Sequence, residues 1–107
     1  MKLESEFQAD LIKEIKAVFP GCVVLKNDPN YIQGFPDLLI LFRKNWAALE
    51  VKRSASEPYR PNQEYYLDML NTMAYSATIF PENAKVILDE LQFALRSSRK
   101  ARTTKRE

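Results

Sequence analysis

The sequence predicts an α/β domain in which a small mixed β-sheet is flanked by helices, in the order α-β-β-β-α-β-α. Three observations predict it. Leu3, Phe7, Leu11, Ile15 and Val18 recur at the spacing of one helix face. Residues 37–42 and 45–52 are two apolar, strand-like runs parted only by Arg43-Lys44. Two later segments, opened by Pro61 and Pro81, return to helical spacing with a short strand-like stretch between them.

Taken in order, the first helix runs over LESEFQADLIKEIKAVF, residues 3–19, and Pro20-Gly21 ends it. CVVLK (22–26) is short and β-branched and reads as a strand, while NDPNYIQGFP (27–36) is a polar, turn-rich loop. Within DLLILF (37–42) the run from Leu38 to Phe42 is apolar throughout, as expected of a central strand covered on both faces. It pairs with NWAALEVK (45–52) as a hairpin, and RSASEPYR (53–60) forms a second loop. Pro61 opens a helix over PNQEYYLDMLNTMAY, where Tyr66, Leu67, Leu70 and Met73/Ala74 keep helical spacing. SATIF (76–80) is a brief strand. Pro81 begins the last helix, PENAKVILDELQFALRSS, with Val86, Ile87, Leu91, Phe93 or Ala94, and Leu95 facing inward. Trp46, Tyr65, Tyr66 and Phe93 read as core, and Cys22 as a buried small hydrophobe.

At 107 residues, 46% hydrophobic and 28% charged, the chain has room for one core and no second. Without histidine it cannot build a Ser-His-Asp or Cys-His nucleophile or an imidazole metal site. Its one cysteine excludes an intrachain disulfide and a four-cysteine zinc site. Chemistry therefore falls to carboxylates, lysines, hydroxyls and a metal held by oxygen. The net charge of +2 is unevenly placed: residues 96–107 carry six positive side chains against Glu107, leaving ten positive against thirteen negative in 1–95. This divides the chain into a domain over 1–95 and a basic tail over 96–107. In the tail Arg99, Lys100 and Arg102 suit a phosphate partner, the alternative being a solubilising end. The longest apolar run spans five residues, far short of the roughly 20 a membrane span needs. The start also lacks an apolar signal core. An intracellular protein with no membrane association is expected.

The chemistry-bearing constellation is Pro36-Asp37, twelve intervening residues, then Glu50-Val51-Lys52. Strand alternation puts Glu50 and Lys52 on one face and Val51 on the other. If the hairpin turns around Lys44, Asp37 lies opposite Val51 or Glu50, with Cβ atoms about 5 Å apart. Two carboxylates and an ammonium then meet at one end of an apolar hairpin. Such charges cost several kcal/mol each unless paired or metal-bound, and a hard divalent cation relieves the repulsion between the carboxylates. A surface salt-bridge cluster is the plainer alternative.

GFPD (34–37) followed by ALEVK (48–52) resembles the PD-(D/E)xK nuclease superfamily. With the compact spacing and PNQEYYLDML (61–70), the chain looks most like the VRR-NUC nucleases, many of them phage-encoded or fused to repair proteins. The similarity runs from about Glu4 to Ala77. It implies a restriction-endonuclease-like core and a metal-dependent endodeoxyribonuclease. Asp37, Glu50, the backbone carbonyl of Val51 and a glutamate of the first helix would hold Mg²⁺ or Mn²⁺. Glu4 falls near the centre of that helix's apolar stripe and Glu6 points away. A capping box over Ser5-Glu6-Phe7-Gln8 would instead start the helix after Glu4, which keeps Glu6 as the fallback.

The resemblance also gives Lys52 the positioning of the attacking water, leaves a 5′-phosphate and a 3′-hydroxyl on the products, and matches Gln63 to a site-facing glutamine. Gln63 could equally be an N-terminal capping partner. Lys26 and Asn27 at the end of the first strand, and Arg60 beside Tyr59, are weaker candidates for DNA contact. A bare domain of this size is poorly equipped for sequence readout in the major groove. Structure-selective cutting of branched DNA is therefore expected, four-way junction ahead of flap, in repair, recombination or phage DNA processing. A homodimer is expected because two strands must be cut. No small-molecule cofactor is expected, and the alternative is a catalytically silent DNA-binding module that retains the nuclease fold.

Overall fold

A computed structural model describes residues 3–97 of the chain. The elements follow the expected order: α1 (Glu4–Val18), β1 (Val23–Lys26), β2 (Leu38–Phe42), β3 (Asn45–Val51), α2 (Gln63–Met73), β4 (Tyr75–Ile79) and α3 (Ala84–Arg96). A single 3₁₀ turn, Pro81–Asn83, leads into α3. The four strands form one sheet in the order β1-β2-β3-β4. β1, β2 and β3 are antiparallel neighbours, and β4 runs parallel to β3 after the α2 crossover.

The hairpin closes through Arg43-Lys44, with Phe42 opposite Asn45 and Leu38 opposite Leu49. Its centre falls between Arg43 and Lys44, half a residue from the expected position. Arg43 takes the left-handed φ of 58° that so tight a reversal needs. Extending the register by one residue sets Asp37 across from Glu50 at the open end.

One face of the sheet carries Leu38, Ile40, Phe42, Ala47, Leu49, Val51 and Ile79, packed on Leu11, Ile15 and Phe19 from the first helical segment and on Ile87, Leu88, Leu91 and Leu95 of α3. This is the main core. α2 lies over the β3–β4 half of the opposite face through Leu67 and Leu70. There the Ser76 hydroxyl donates to the Leu67 carbonyl.

Two long-range clasps hold the helices to this sheet. Buried Asn45 Nδ2 donates to the Leu95 and Ser97 carbonyls, at 2.8 and 3.1 Å, and so caps the end of α3. Arg96 donates to the Val18 carbonyl at 2.7 Å, with its guanidinium over the rings of Phe19 and Phe42. On charge Arg96 belongs with the basic tail, but its contacts are internal to the fold. Arg99, Lys100 and Arg102 lie outside the described residues.

Several residues expected inside are outside. Val86 and Phe93 are 57% and 80% exposed, while Ile87, Leu91 and Leu95 are inside as expected and Leu88 joins them. At 100° per residue, Val86 and Phe93 share a stripe nearly opposite the Leu91–Leu95 side. Tyr65 is exposed as well, stacked edge-on against half-buried Tyr66. Among the described residues no helix is long and apolar enough to cross a membrane.

Candidate active site

The open end of the hairpin, the start of α1, the 27–36 loop and the 52–62 loop surround a cleft of about 560 Å³. Glu4, Asp37, Glu50, Lys52, Arg60 and Gln63 line it together. Strand alternation sends Val51 into the core while its neighbours Glu50 and Lys52 turn to the cleft, both nearly inaccessible to solvent.

A continuous hydrogen-bond chain ties these side chains. Lys52 Nζ donates to Gln63 Oε1 at 2.8 Å, and Gln63 Nε2 donates to Glu50 Oε2 at 2.9 Å. Lys52 Nζ also donates to the Pro58 carbonyl at 3.2 Å and stands 3.7 Å from Glu50 Oε2. The ring of Tyr59 lies beneath the ammonium, its hydroxyl bonded to Thr78 Oγ1. Gln63 Oε1 accepts the Arg60 N–H at 2.7 Å as well. The capping role and the site-facing role of Gln63 thus coincide in one amide.

Asp37 is fixed differently. Its Oδ2 accepts the Val51 N–H at 2.8 Å. The segment carrying it is held by Asn27, whose Nδ2 donates to the Pro36 carbonyl at 2.6 Å and whose N–H donates to the Asp37 carbonyl at 2.8 Å. Asn27 therefore works on the loop behind the cleft, and Lys26 is exposed at the end of β1. Neither lines the cleft.

The two helix-one glutamates separate cleanly. α1 starts at Glu4, and Glu6 Oε1 accepts the Leu3 N–H at 3.2 Å, so Glu6 is occupied at the helix start. Glu4 faces the cleft. Sequence reasoning overlooked Glu57, which lines the cleft while its Oε1 accepts the Arg53 N–H at 2.8 Å. It also overlooked Pro29, Asn30 and Gln33, which line the cleft as well. The only signal available was the polar loop leading directly into Asp37.

The electrostatics are those of a site short of positive charge. The Glu50 carboxyl is pushed up to about 8, first by burial and then by the facing Asp37 carboxylate, with Lys52 pulling the other way. Burial also raises Asp37, against the Val51 N–H, which lowers it. Glu4 is raised by burial, with Glu57 and Asp37 adding to the effect. Glu50 Oε1 is buried and no donor reaches it. Among the described residues no three carboxylate or thiol ligands converge into a ready-made cation cage. Glu4 therefore lines the cleft without completing one with Asp37 and Glu50. Two carboxylates at the cleft wall, one with a buried oxygen that no donor serves, are the oxygen donors a hard divalent cation takes alongside water and phosphate.

A mixed four-stranded sheet between helices, with its cleft at the open end of a central hairpin, is a restriction-endonuclease-like α/β fold. Among solved structures the chain is similar to Hjc, a Holliday junction resolvase from the archaeal hyperthermophile Archaeoglobus fulgidus. The TM-score is 0.50 at 19% sequence identity, covering 71% of this chain and 67% of that one. No family model and no curated protein matches the sequence.

Proposed function

We propose that this protein is a divalent-metal-dependent endodeoxyribonuclease of the PD-(D/E)xK type that cuts branched DNA, four-way junctions ahead of flaps. The observation that carries the reading is the buried Glu50–Gln63–Lys52 chain set against Asp37, with Glu50 Oε1 left without a donor at the wall of an open cleft. Burying charge in this way is destabilising unless a cation and an anionic ligand complete the site. The fold shared with a junction resolvase supports the choice of DNA over other phosphodiesters.

Asp37, Glu50 and the Val51 carbonyl are the groups that would hold Mg²⁺ or Mn²⁺, with Glu4 facing them from α1. The ion, when bound, supplies a Lewis acid for the phosphate and lowers the pKa of a water. The chain's own residues do the rest. Val51 N–H keeps the Asp37 carboxylate turned toward Glu50. Gln63 fixes both Glu50 and Lys52, so neither side chain needs to reorganise when substrate arrives. Lys52 presents positive charge where the attacking water and the reacting phosphate meet. Arg60, at the cleft edge, contacts the DNA backbone.

Cutting two strands of a junction calls for two such clefts, hence a homodimer, and the protein acts inside the cell on DNA in repair, recombination or phage DNA processing. A supercoiled-plasmid nicking assay with and without EDTA, followed by a panel of labelled junctions, flaps, hairpins and duplexes, tests the reading. EDTA-sensitive nicking that is lost in Asp37→Ala and Glu50→Ala, with DNA binding kept, is expected. Undiminished turnover in Glu50→Gln overturns the metal assignment, and DNA binding without any cleavage supports the silent-module alternative.

A further inference from the structure

The 27–36 loop does more than deliver Asp37. It is tied along its whole length. Asp28 Oδ1 accepts the Asn30 N–H at 2.9 Å, the Asp28 carbonyl accepts the Tyr31 N–H at 3.1 Å, and the Ile32 carbonyl accepts the Phe35 N–H at 3.3 Å. Phe35 packs edge-on against Tyr66 of α2 with ring centroids 5.4 Å apart. A loop so well anchored could turn its aromatic rings inward, and it does so with Phe35. Tyr31, by contrast, stands 84% exposed.

Beside that ring lies a second hollow of about 340 Å³, lined by Asn27, Asp28, Tyr31, Ile32 and Phe35. Phe35 also lines the carboxylate cleft, so the two cavities share a wall. The hollow has aromatic and aliphatic sides, and a carboxylate and an amide supply acceptor oxygens. Those are the features that hold a planar heterocycle bearing an amino group: a ring to stack on and acceptors for its edge.

We propose that this hollow is a subsite for an unpaired nucleobase, which stacks on Tyr31 and turns its amino edge to Asp28 while its strand continues into the catalytic cleft. The proposal rests on the nuclease reading and deepens it by supplying a source of structure selectivity. A base in continuous duplex must first be unstacked and unpaired to enter, whereas one already free at a branch point or bulge enters without that penalty. Stacking itself accepts any base, because every base has a π-face, while the Asp28 contact favours the amino-bearing bases adenine, cytosine and guanine over thymine.

The test uses the full chain carrying Lys52→Met, which slows cutting, in Mg²⁺ buffer and read within the time before cleavage. The probe is 2-aminopurine, placed either unpaired at a branch point or paired within a plain duplex. Binding should quench the unpaired probe, and Tyr31→Phe should preserve the quench. Tyr31→Ala should abolish it and lower the preference for the unpaired over the paired DNA by about 5- to 150-fold, the range of one lost base–aromatic stack. Phe93→Ala, which removes another highly exposed ring from α3, should leave both quench and preference unchanged. If Tyr31→Ala keeps the quench and the preference while the Lys52-containing protein cuts branched DNA, the subsite is overturned and the nuclease reading stands. If the Lys52-containing protein neither binds nor cuts any DNA, the nuclease reading falls and the subsite with it.

Discussion

Replacing Glu50 with glutamine should make the metal-free protein more stable at alkaline pH, although it destroys the proposed metal site. In the folded chain Glu50 is 3% exposed, one carboxylate oxygen has no donor, and Asp37 repels its charge. The carboxyl is raised from 4.5 to about 8 on folding. A raised carboxyl contributes stability that is fully present below the unfolded value and is lost as pH climbs through the folded one. Stability of the apo-protein should therefore decline between about pH 5 and pH 8 and level off above. Each tenfold change in proton affinity corresponds to about 1.4 kcal/mol, so the interval from 4.5 to about 8 sets an upper bound of about 5 kcal/mol. Asp37 and Glu50 bear on each other, so part of this belongs to the pair, and the expected effect is about 2 kcal/mol, the order of what one unsatisfied buried polar group costs. Glutamine keeps the acceptor for Gln63 Nε2 and places an amide donor near Asp37, removing the charge without opening a cavity. In a domain of this size 2 kcal/mol is roughly 10 °C in Tm. The assay is a thermal melt of both proteins in EDTA at pH 5 and pH 8.5, repeated with Mg²⁺. The variant should match wild type at pH 5 and exceed it by roughly 10 °C at pH 8.5, and Mg²⁺ should close the gap by raising wild type alone. A variant no more stable than wild type at pH 8.5, or an equal response of both to Mg²⁺, would refute the picture of a charge-starved site.

Three further outcomes are expected. Lys52→Met keeps the buried stem and removes the ammonium, and should slow plasmid nicking about 10²–10³-fold while thermal melting shows the fold intact; near-wild-type nicking would make Lys52 a bystander. Gly34→Ala should cost about 2 kcal/mol, read as a fall in Tm. Gly34 has φ +89°, and a Cβ there would lie 2.6 Å from Asn62 Cβ at the start of α2; an unchanged Tm would deny the loop its tight seat. Deleting residues 98–107 removes Arg99, Lys100, Arg102, Lys105 and Arg106 but keeps the Arg96 clasp. The slope of log K against log salt for DNA binding should flatten by up to about 0.9 per lost phosphate contact, and an unchanged slope would mark the tail as a solubilising end.

The sequence by itself determined what depends on local period and short separations. Apolar spacing set α1 and its inward Leu11 and Ile15, and Arg43-Lys44 set the hairpin. A two-residue turn leaves little freedom of register, so Asp37 was confined to the positions opposite Glu50 or Val51, and the structure chose Glu50. Period two likewise placed Glu50 and Lys52 together and sent Val51 the other way. What depends on the docking of distant segments was decided only by the tertiary structure. The helical stripe favoured Glu4 over Glu6, but that α1 begins at Glu4, with Glu6 held by the Leu3 N–H and Glu4 lining the cleft, is seen only in the folded chain. That Gln63 bridges Glu50 and Lys52 while also capping Arg60 depends on where the 53–62 loop lets α2 begin. Arg96, a tail residue by charge, became the clasp of α1. Phe93, apolar and at a plausible helical position, faces solvent because α3 presents the Leu88–Leu91–Leu95 side to the sheet. A helical or strand period specifies which residues share a face, but the rotation at which that face meets the rest of the molecule is a packing decision made by the whole core at once.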